Sequence, residues 1–303
     1  MGQTQAGAPV QYLTDYAKGI GFNAADIASR ILAPEVIVGS PVGKFKKFND
    51  KNAFQAPDTS RALGGAARRL EFDGTDGDYN CQPQALEIGI DDAERAAGDQ
   101  MGLEQAKIKT VVNSAIRAHG KKVFDKAAAG LAAAATPTWS TPTTGNPISD
   151  LNAQIEAIVT ETGEFPTHIV LGVTAWRYFV QHDKVAEKFK SGVVTPQTVQ
   201  AAALLLAPSI EFVVSPLVAD TAKPGATKST AQVFGANIFI VISSPSPSIY
   251  DPSFMKTFRT QMGGVEAVRM YRDDSARSDI YAVDWSEDIQ VVSTAAARRL
   301  TVS

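Results

Sequence analysis

Three histidines and one cysteine are the residues of this sequence best suited to catalysis or metal binding. His119, His168 and His182 lie far apart in the chain and form no H-E-x-x-H pair, and Cys81 has no cysteine partner for a metal site. Cys81 also has no base or cationic cluster beside it in sequence, so an inert thiol is expected. We therefore predict packing or hydrogen-bonding roles for these residues, with no catalytic residue and no metal ligand.

Two glycine-containing stretches resemble cofactor or metal motifs only in part. Gly19, Gly21 and Ala24 match G-x-G-x-x-A, but Tyr12 to Lys18 is not the hydrophobic strand that a dinucleotide site requires. The acidic stretch DGTDGD, residues 73–78, lacks the glycine position and the final Glu of a calcium-binding loop. The sequence also has no G-x-S-x-G and no Walker loop, so no cofactor is predicted.

Paired carboxylates are the remaining candidates for acid–base chemistry. Asp273-Asp274 and Glu287-Asp288 lie in strand and turn sequences near Arg272 and Arg277, where exposed ion pairing accounts for them. The sequence thus predicts a protein that is not an enzyme.

Composition limits the remaining classes of protein. The 303 residues are 44% hydrophobic and 20% charged, as in a globular protein with one large or two ordinary domains. A net charge of −3 argues against a dedicated nucleic-acid binder, and one cysteine excludes an internal disulfide. No apolar run approaches the roughly 18 to 20 residues that span a bilayer, and the N-terminus does not resemble a signal peptide. We expect the chain to stay in the compartment where it is made.

The first ninety residues predict extended structure more than core. Scattered apolar residues up to about residue 50 indicate an arm, with one short helix from about Asn23 to Ile31 that Pro34 ends. The following stretches ARRLEFDG and ALEIGID alternate like a two-stranded ribbon, with Gly64 and Gly65 near a loop tip. Because an isolated hairpin is marginally stable, such a ribbon needs a surface to lie on.

A long helix and a compact α/β unit follow. Asp91 and Asp92 suit a helix N-terminus, and the helical pattern then continues to about Ala129, which gives a rod of roughly 45 to 60 Å. Its apolar positions are Met101, Ile108, Val112, Ala115, His119 and Val123. After a Pro/Thr/Gly break, the sequence alternates helices and buried strands until about Ser244 and is strand-like from Pro245 onward.

This order of parts resembles the Hong Kong 97-type major capsid protein of tailed bacteriophages. The stretches RALGGAARRLEFDGTDGDYNCQPQALEIGIDD and YRDDSARSDIYAVDWSEDIQVVSTAAARRLTV carry the resemblance, together with the long helix between them. It implies an α+β capsid fold with an N-terminal arm (1–45), an extended E-loop (46–90), a P-domain with a spine helix (91–145), an A-domain (146–244) and P-domain C-terminal strands (245–303).

The resemblance also implies a function and partners. The chain would self-assemble through hexamers and pentamers into an icosahedral shell around double-stranded DNA, which it contacts only non-specifically. It would be located in the virion capsid and assembled in the host bacterial cytoplasm, with a separate scaffolding protein, a portal and decoration proteins as partners. The E-loop contacts between subunits are expected at Arg61, Gly64, Gly65, Arg68 and Arg69.

Two alternatives remain open from the sequence. An encapsulin-like compartment, which stores a cargo enzyme, has the same fold and is poorly separated from a phage capsid. A small-molecule-binding or enzymatic α/β domain at residues 146–244 is the other, and it predicts that this fragment folds alone and binds a ligand.

Overall fold

A computed structural model of the protein describes residues 11–21, 24–48, 59–61, 63–65, 67, 69, 74–97, 100–189, 192–201, 207, 209–222, 225–261 and 267–303. Among these residues the helices are α1 (Gln11–Gly21), α2 (Ala24–Leu32), α3 (Asp92–Ala96), α4 (Gln100–Gly130), α5 (Pro147–Thr162), α6 (Val173–Gln181), α7 (Asp183–Lys188) and α8 (Pro196–Ala201). The strands are β1 (Glu35–Val38), β2 (Val42–Phe48), β3 (Gly74–Asn80), β4 (Gln82–Asp91), β5 (Ala133–Ala135), β6 (His168–Gly172), β7 (Glu211–Ser215), β8 (Val218–Asp220), β9 (Thr230–Gln232), β10 (Asn237–Val241), β11 (Met255–Thr260), β12 (Val268–Asp273), β13 (Ser278–Val291) and β14 (Ala297–Thr301).

The long helix of the sequence is present as two pieces. Asp91 caps α3 by accepting a hydrogen bond from the backbone N–H of Ala93 at 2.8 Å, as its position before the helix predicts. Helix α3 ends at Ala96 with Ala97 as its C-cap, and α4 begins at Gln100; the 31 residues of α4 form a rod of about 46 Å. The expected single helix from Asp92 is therefore present as two helices among the described residues.

The first large sheet is built around the long strand β13. Strands β12 and β11 pair with successive halves of one edge of β13, and β4 pairs antiparallel with ten residues of the other edge. Strand β1 extends the sheet by pairing parallel to β11. Helix α4 packs on this sheet, where Ile108, Val112 and Ala115 meet Tyr281 and Val283 in one buried cluster.

The predicted N-terminal arm is, over its described part, packed on its own chain. Leu13 and Ala17 of α1 lie in the same buried cluster as α4, and Leu32 of α2 is also buried. The expectation of an arm without a core role is wrong for α1, α2 and β1. Leu13 and Ala17 are spaced by four, a helical signal that the scattered pattern concealed.

The ribbon also differs from the expected pairing. Its two limbs are β2 and β3, which pair antiparallel from Val42–Asn80 to Phe48–Gly74. The expected second limb, ALEIGID, instead belongs to β4 and lies in the sheet beside β13. The alternation of apolar and polar residues within one segment cannot identify the strand that pairs with it, because pairing and register depend on which face of the strand the rest of the fold buries.

The second large sheet has the order β5-β14-β10-β6-β7. Its helices include α5, whose first residue is Pro147. The side chain of Asn146 caps the N-terminus of α5, and Gly163, in left-handed conformation, caps its C-terminus. The last strand, β14, pairs antiparallel with β10, so the chain returns to this sheet. Residues 297–301 therefore join the sheet of β10, whereas β11, β12 and β13 belong to the first sheet.

One hydrophobic cluster joins the two sheets. Val123 and Ala127 of α4 lie together with Phe239 of β10 and Met255 of β11, all of them buried. The two sheets therefore share a core and are not separately packed units. Within the described residues, no helix has both the length and the apolarity needed to cross a bilayer.

Candidate assembly surface

The ribbon β2–β3 carries two aromatic residues that lie opposite glycines. Phe45 faces Gly77 across the two strands, and Tyr79 faces Gly43. A Cβ atom on Gly77 would lie 2.5 Å from the Phe45 ring, and one on Gly43 would lie 2.4 Å from the Tyr79 hydroxyl. Each ring thus occupies the space that a side chain on the opposite strand would need.

These aromatic residues attach the base of the ribbon to the chain's own sheet. The rings of Tyr79 and Phe258 are stacked with centroids 4.6 Å apart, and the Phe45 and Phe258 centroids are 5.2 Å apart. The backbone N–H of Asn80 also donates to Asp288 at 2.8 Å. The surface that the ribbon needs is therefore supplied, at its base, by the same chain, because the inner face of the base is aromatic and buried.

The outer face of the ribbon base is polar. Lys46 donates to Asp76 at 2.5 Å, and Lys44 lies 3.9 Å from the same carboxylate. The hydrogen bond from Lys46 lowers the pKa of Asp76 below its usual value. Because these groups are exposed to solvent, the pairs contribute little to stability.

The residues predicted to contact a neighbouring subunit lie beyond this base. Arg61, Gly64, Gly65 and Arg69 are exposed, and Gly64 has a φ of +84°, which favours glycine. Arg68 lies outside the described residues. Leu63 is not among the predicted residues, although its side chain is fully exposed. Its signal in the sequence is an apolar residue between Arg61 and two glycines.

The other candidate residues have structural surroundings. Cys81 is buried, donates to the Phe258 carbonyl at 3.4 Å, and has a pKa raised by burial. His182 accepts from the backbone N–H of Lys184 at 3.2 Å and lies 2.9 Å from the Thr144 carbonyl. The prediction of a hydrogen-bonding role is confirmed for His182, and the inertness of the buried Cys81 thiol stays a prediction.

The two sequence patterns that resembled ligand sites also lie in regular structure. Gly19 and Gly21 belong to α1, and residues 74–78 belong to β3. Among the described residues, no three His, Cys, Asp or Glu side chains are grouped as metal ligands.

A cavity of about 650 Å³ lies between α2 and the start of β6 and β7. Its rim contains Thr167, His168 and Glu211 in the order of a catalytic triad, with His168 Nδ1 2.8 Å from Thr167 Oγ1 and Nε2 3.5 Å from the Glu211 carboxylate. The Thr167 hydroxyl is, however, held by the backbone of Val241 and Ser243. These hydrogen bonds give the hydroxyl a structural role, in which it joins the residue before β6 to the end of β10.

A buried carboxylate attaches the long helix to the first sheet. Glu287 of β13 accepts from Lys122 at 3.0 Å and contacts His119 Nδ1 at 2.9 Å, both on α4. Arg259 of β11 lies 3.5 Å from the same carboxylate. Burial alone would raise the pKa of Glu287, but His119 and Lys122 lower it to about 2. The expectation of an exposed ion pair is wrong for Glu287, because only the fold places α4 over this side chain.

The junction before α4 is held by a second, more exposed ion cluster. Arg95 of α3 pairs with Asp279 of β13, and Arg272 of β12 contacts Asp92 at 2.5 Å and Asp279 at 3.2 Å. The hydrogen bond from Arg272 lowers the pKa of Asp92. These pairs fix the start of the helix that follows the ribbon.

Comparison with known proteins identifies the fold. No protein-family model matches this sequence. The major capsid protein of Burkholderia phage BcepMu is 30% identical over 190 residues, which cover 58% of this chain and 60% of that protein. The match therefore spans less than two thirds of the relative's length.

Solved structures match over nearly the whole chain. A phage-related protein from Bordetella bronchiseptica RB50 has a TM-score of 0.73 at 23% identity, and the match covers 98% of this chain and 97% of that protein. The capsid of Cyanophage P-SCSP1u has a TM-score of 0.56 at 10% identity, over 100% of this chain and 90% of its own. The SrpI encapsulin of Synechococcus elongatus PCC 7942 has a TM-score of 0.53 at 10% identity, over 99% and 92%.

The chain has the α+β, Hong Kong 97-like capsid fold. The resemblance to the Hong Kong 97-type major capsid proteins, which the order of elements predicted, is confirmed.

Proposed function

We propose that this chain is a major capsid protein that self-assembles, without enzymatic activity, into the icosahedral head shell around the double-stranded DNA of a tailed phage. The observation that carries the proposal is the fully exposed Leu63, which lies in sequence between the two strands of a ribbon whose base is attached to its own sheet. The fold and the similarity to a phage major capsid protein support the same function.

The ribbon is the E-loop in this proposal. Its base is held in position on the chain's own sheet by Phe45 and Tyr79. Burying Leu63 on a neighbouring copy would contribute roughly 1.5 to 3 kcal/mol. Arg61 and Arg69 add donors for carboxylates of that neighbour. Contacts of this strength suffice in a closed shell, because each copy makes several of them at once.

The division into domains follows from the same proposal. Residues 1–45 form the N-terminal arm, 46–90 the E-loop, 91–145 the first part of the P-domain, 146–244 the A-domain and 245–303 the returning strands. We assign β14, and β5 beside it, to the A-domain sheet on the basis of their pairing. The scaffolding, portal and decoration partners, the virion location and assembly in the host cytoplasm are part of the proposal.

Substitution of Leu63 tests the proposal at one exposed position. We expect Leu63→Asp to abolish particle formation, because a carboxylate cannot be buried on a neighbouring apolar surface without a partner. Leu63→Met keeps the apolar character and should still form particles. Size-exclusion chromatography and negative-stain electron microscopy of the full chain, with its scaffolding protein if one is required, measure the outcome.

Thermal unfolding controls for misfolding in this experiment. Since Leu63 is fully exposed in the single chain, both variants should unfold within a few degrees of the wild type. Normal particles from the Asp variant, or strictly monomeric wild-type chain under all conditions, would contradict the proposal.

An encapsulin-like shell is the second candidate, because the fold similarity extends to the SrpI encapsulin. The two candidate functions are distinguished by what is enclosed in particles purified from the natural source. Packaged double-stranded DNA supports a phage capsid, whereas an enclosed enzyme without DNA supports a storage compartment.

A further inference from the structure

The long helix α4 is strongly basic within an acidic chain. Its 31 residues contain six Lys or Arg and two Asp or Glu, a net charge of +4, whereas the whole chain has a net charge of −3. The packing of α4 does not require these six cations, because its buried face consists mainly of apolar residues. Their placement therefore decides whether they form a surface.

Four residues spaced by four form an exposed ridge along α4. They are Lys109, Asn113, Arg117 and Lys121, and the three cations among them are exposed. At 1.5 Å per residue, the cations lie about 12 Å and 6 Å apart along the axis. The exposed residues between them are small, including Thr110, Ser114 and Ala118, so nothing bulky separates the ridge from a large partner.

Two of these cations have no ion-pair or hydrogen-bond partner among the described residues. Lys107 and Lys122 on the flanks are bound to Glu94 and Glu287, and Lys121 pairs with Asp125 at 2.5 Å. Lys109 and Arg117 make no such contact within the described part of the chain.

The carboxylates of α4 lie at its two ends. Glu104 is bound by Arg95 at 3.3 Å, and Asp125 lies beyond Lys121. The middle of the ridge, over Lys109 and Arg117, is thus positive without local compensation. A row of cations that extends about 18 Å along the helix axis, and turns gradually around it, complements the regular negative charge of a nucleic-acid duplex.

We propose that the ridge Lys109–Asn113–Arg117–Lys121 is a non-specific contact surface for the phosphate backbone of duplex DNA. The choice of duplex DNA rests on the proposed function, and it requires this face of α4 to line the inside of the shell. The contact is weak and salt-sensitive, because only a few phosphates are neutralised. A wall of net negative charge with one narrow basic ridge holds DNA in place without binding it tightly.

The test compares two double variants of the full chain. Lys109→Gln with Arg117→Gln removes the unpaired cations of the ridge, and Lys184→Gln with Lys188→Gln removes two exposed cations from α7 as a control of equal charge. Binding to a fluorescent duplex of about 24 base pairs is measured by anisotropy in about 20 to 200 mM NaCl. We expect the ridge variant to bind about tenfold or more weakly at low salt, with the slope of log K against log salt reduced by about 2. The control should remain within about twofold of the wild type.

Three results would overturn the inference. The first is an equal loss of DNA affinity in the ridge and control variants. The second is DNA binding by the wild type that does not depend on salt. The third is binding of poly-glutamate that is as tight as DNA binding and depends on the ridge, which would indicate an acidic protein partner. Particle formation is scored separately by electron microscopy. If the ridge variant forms shells and its unassembled chain binds DNA normally, the ridge alone is contradicted, whereas ridge-dependent DNA binding by a chain that never assembles contradicts the proposed function.

Discussion

Glu287 shows how much a single buried carboxylate contributes to this fold. It lies between α4 and the first sheet, with His119 and Lys122 on one side and Arg259 on the other. Removing one partner of such a buried group lowers the free energy of unfolding strongly, because the remaining buried charges are no longer compensated. Its environment therefore couples the position of α4 to the protonation of one side chain.

The pH dependence of this group has a defined sign. The pKa of Glu287 is about 2 in the folded chain and 4.5 at its ordinary value, so the unfolded chain takes up the proton first as pH falls. The stabilisation is thus complete above pH 4.5 and is lost between 4.5 and 2. By linkage it amounts to about 3 kcal/mol.

We expect Glu287→Gln to lower the free energy of unfolding by about 3 kcal/mol at about pH 6 and to approach the wild type as pH falls below about 4. Urea unfolding followed by circular dichroism at a series of pH values measures both effects. Asp125→Asn is the control, because its pair with Lys121 is exposed and within one helix. That variant should change stability by less than about 0.5 kcal/mol. A pH-independent difference between Glu287→Gln and the wild type would contradict the assignment.

For single residues, the sequence predicted the role of a side chain with local partners better than the role of one whose partners are distant in the chain. The structural roles of Cys81 and His182 followed from the absence of chemically useful neighbours, and the structure agrees. The surroundings of Glu287 could not be predicted, because its partner His119 is 168 positions away in the chain.

The ribbon is the element on which the proposed assembly depends. Its base is fixed by complementary shapes: the Phe45 ring lies over Gly77, and the Tyr79 ring lies over Gly43. Glycine is required at these two positions for space, since a methyl group would meet the ring itself. The ribbon can therefore be loosened by a single added carbon atom.

We expect Gly77→Ala to displace the Phe45 ring and to destabilise the base of the ribbon by about 1 to 3 kcal/mol. Cys81, the only cysteine of the chain, lies buried at this base and reports on its opening. Its reaction with a thiol reagent under native conditions should become about tenfold faster or more. Gly39→Ala is the matched control, because a Cβ there meets nothing within 4 Å. Equal labelling rates in the two variants would exclude this role of Gly77.

The sequence predicted the elements of this region but not their pairing. An extended, polar ribbon before a long helix is present, as are Asp91 as the helix cap and Gly64 in a loop conformation. Its true second limb, β3, is a glycine- and aspartate-containing stretch without alternation of apolar residues. Such a strand becomes recognisable only beside β2, whose aromatic residue fills the space above its glycine.

For the whole molecule, the shared core decides which parts can fold alone. The second sheet needs β14 from the end of the chain, and the cluster with Phe239 includes Ala127 of α4 and Met255 of β11. A fragment of residues 146–244 lacks β14, Ala127 and Met255. Residues 146–244 are therefore not expected to be an independent folding unit.

We expect fragment 146–244, expressed alone, to be unfolded or aggregated, because the edge of β10 and the face around Phe239 are uncovered. Fusing residues 294–303 to its C-terminus through a short Gly/Ser linker restores β14 and should increase β-structure and resistance to proteolysis. Circular dichroism and limited proteolysis compare the two fragments. A stable 146–244 fragment that binds a small molecule would favour the enzymatic or ligand-binding alternative.

The sequence by itself determined the order of elements, the long helix, the α+β class and the resemblance to capsid proteins, because these depend on local periodicity and on caps such as Asp91 and Asn146. Only the tertiary structure decided that α1 and β1 belong to the core, that β4 leaves the ribbon, and that β14 completes the second sheet. The physical reason is the same in each case. Burial and strand pairing join residues that are distant in sequence, and a segment's own pattern does not specify which distant surface will cover it.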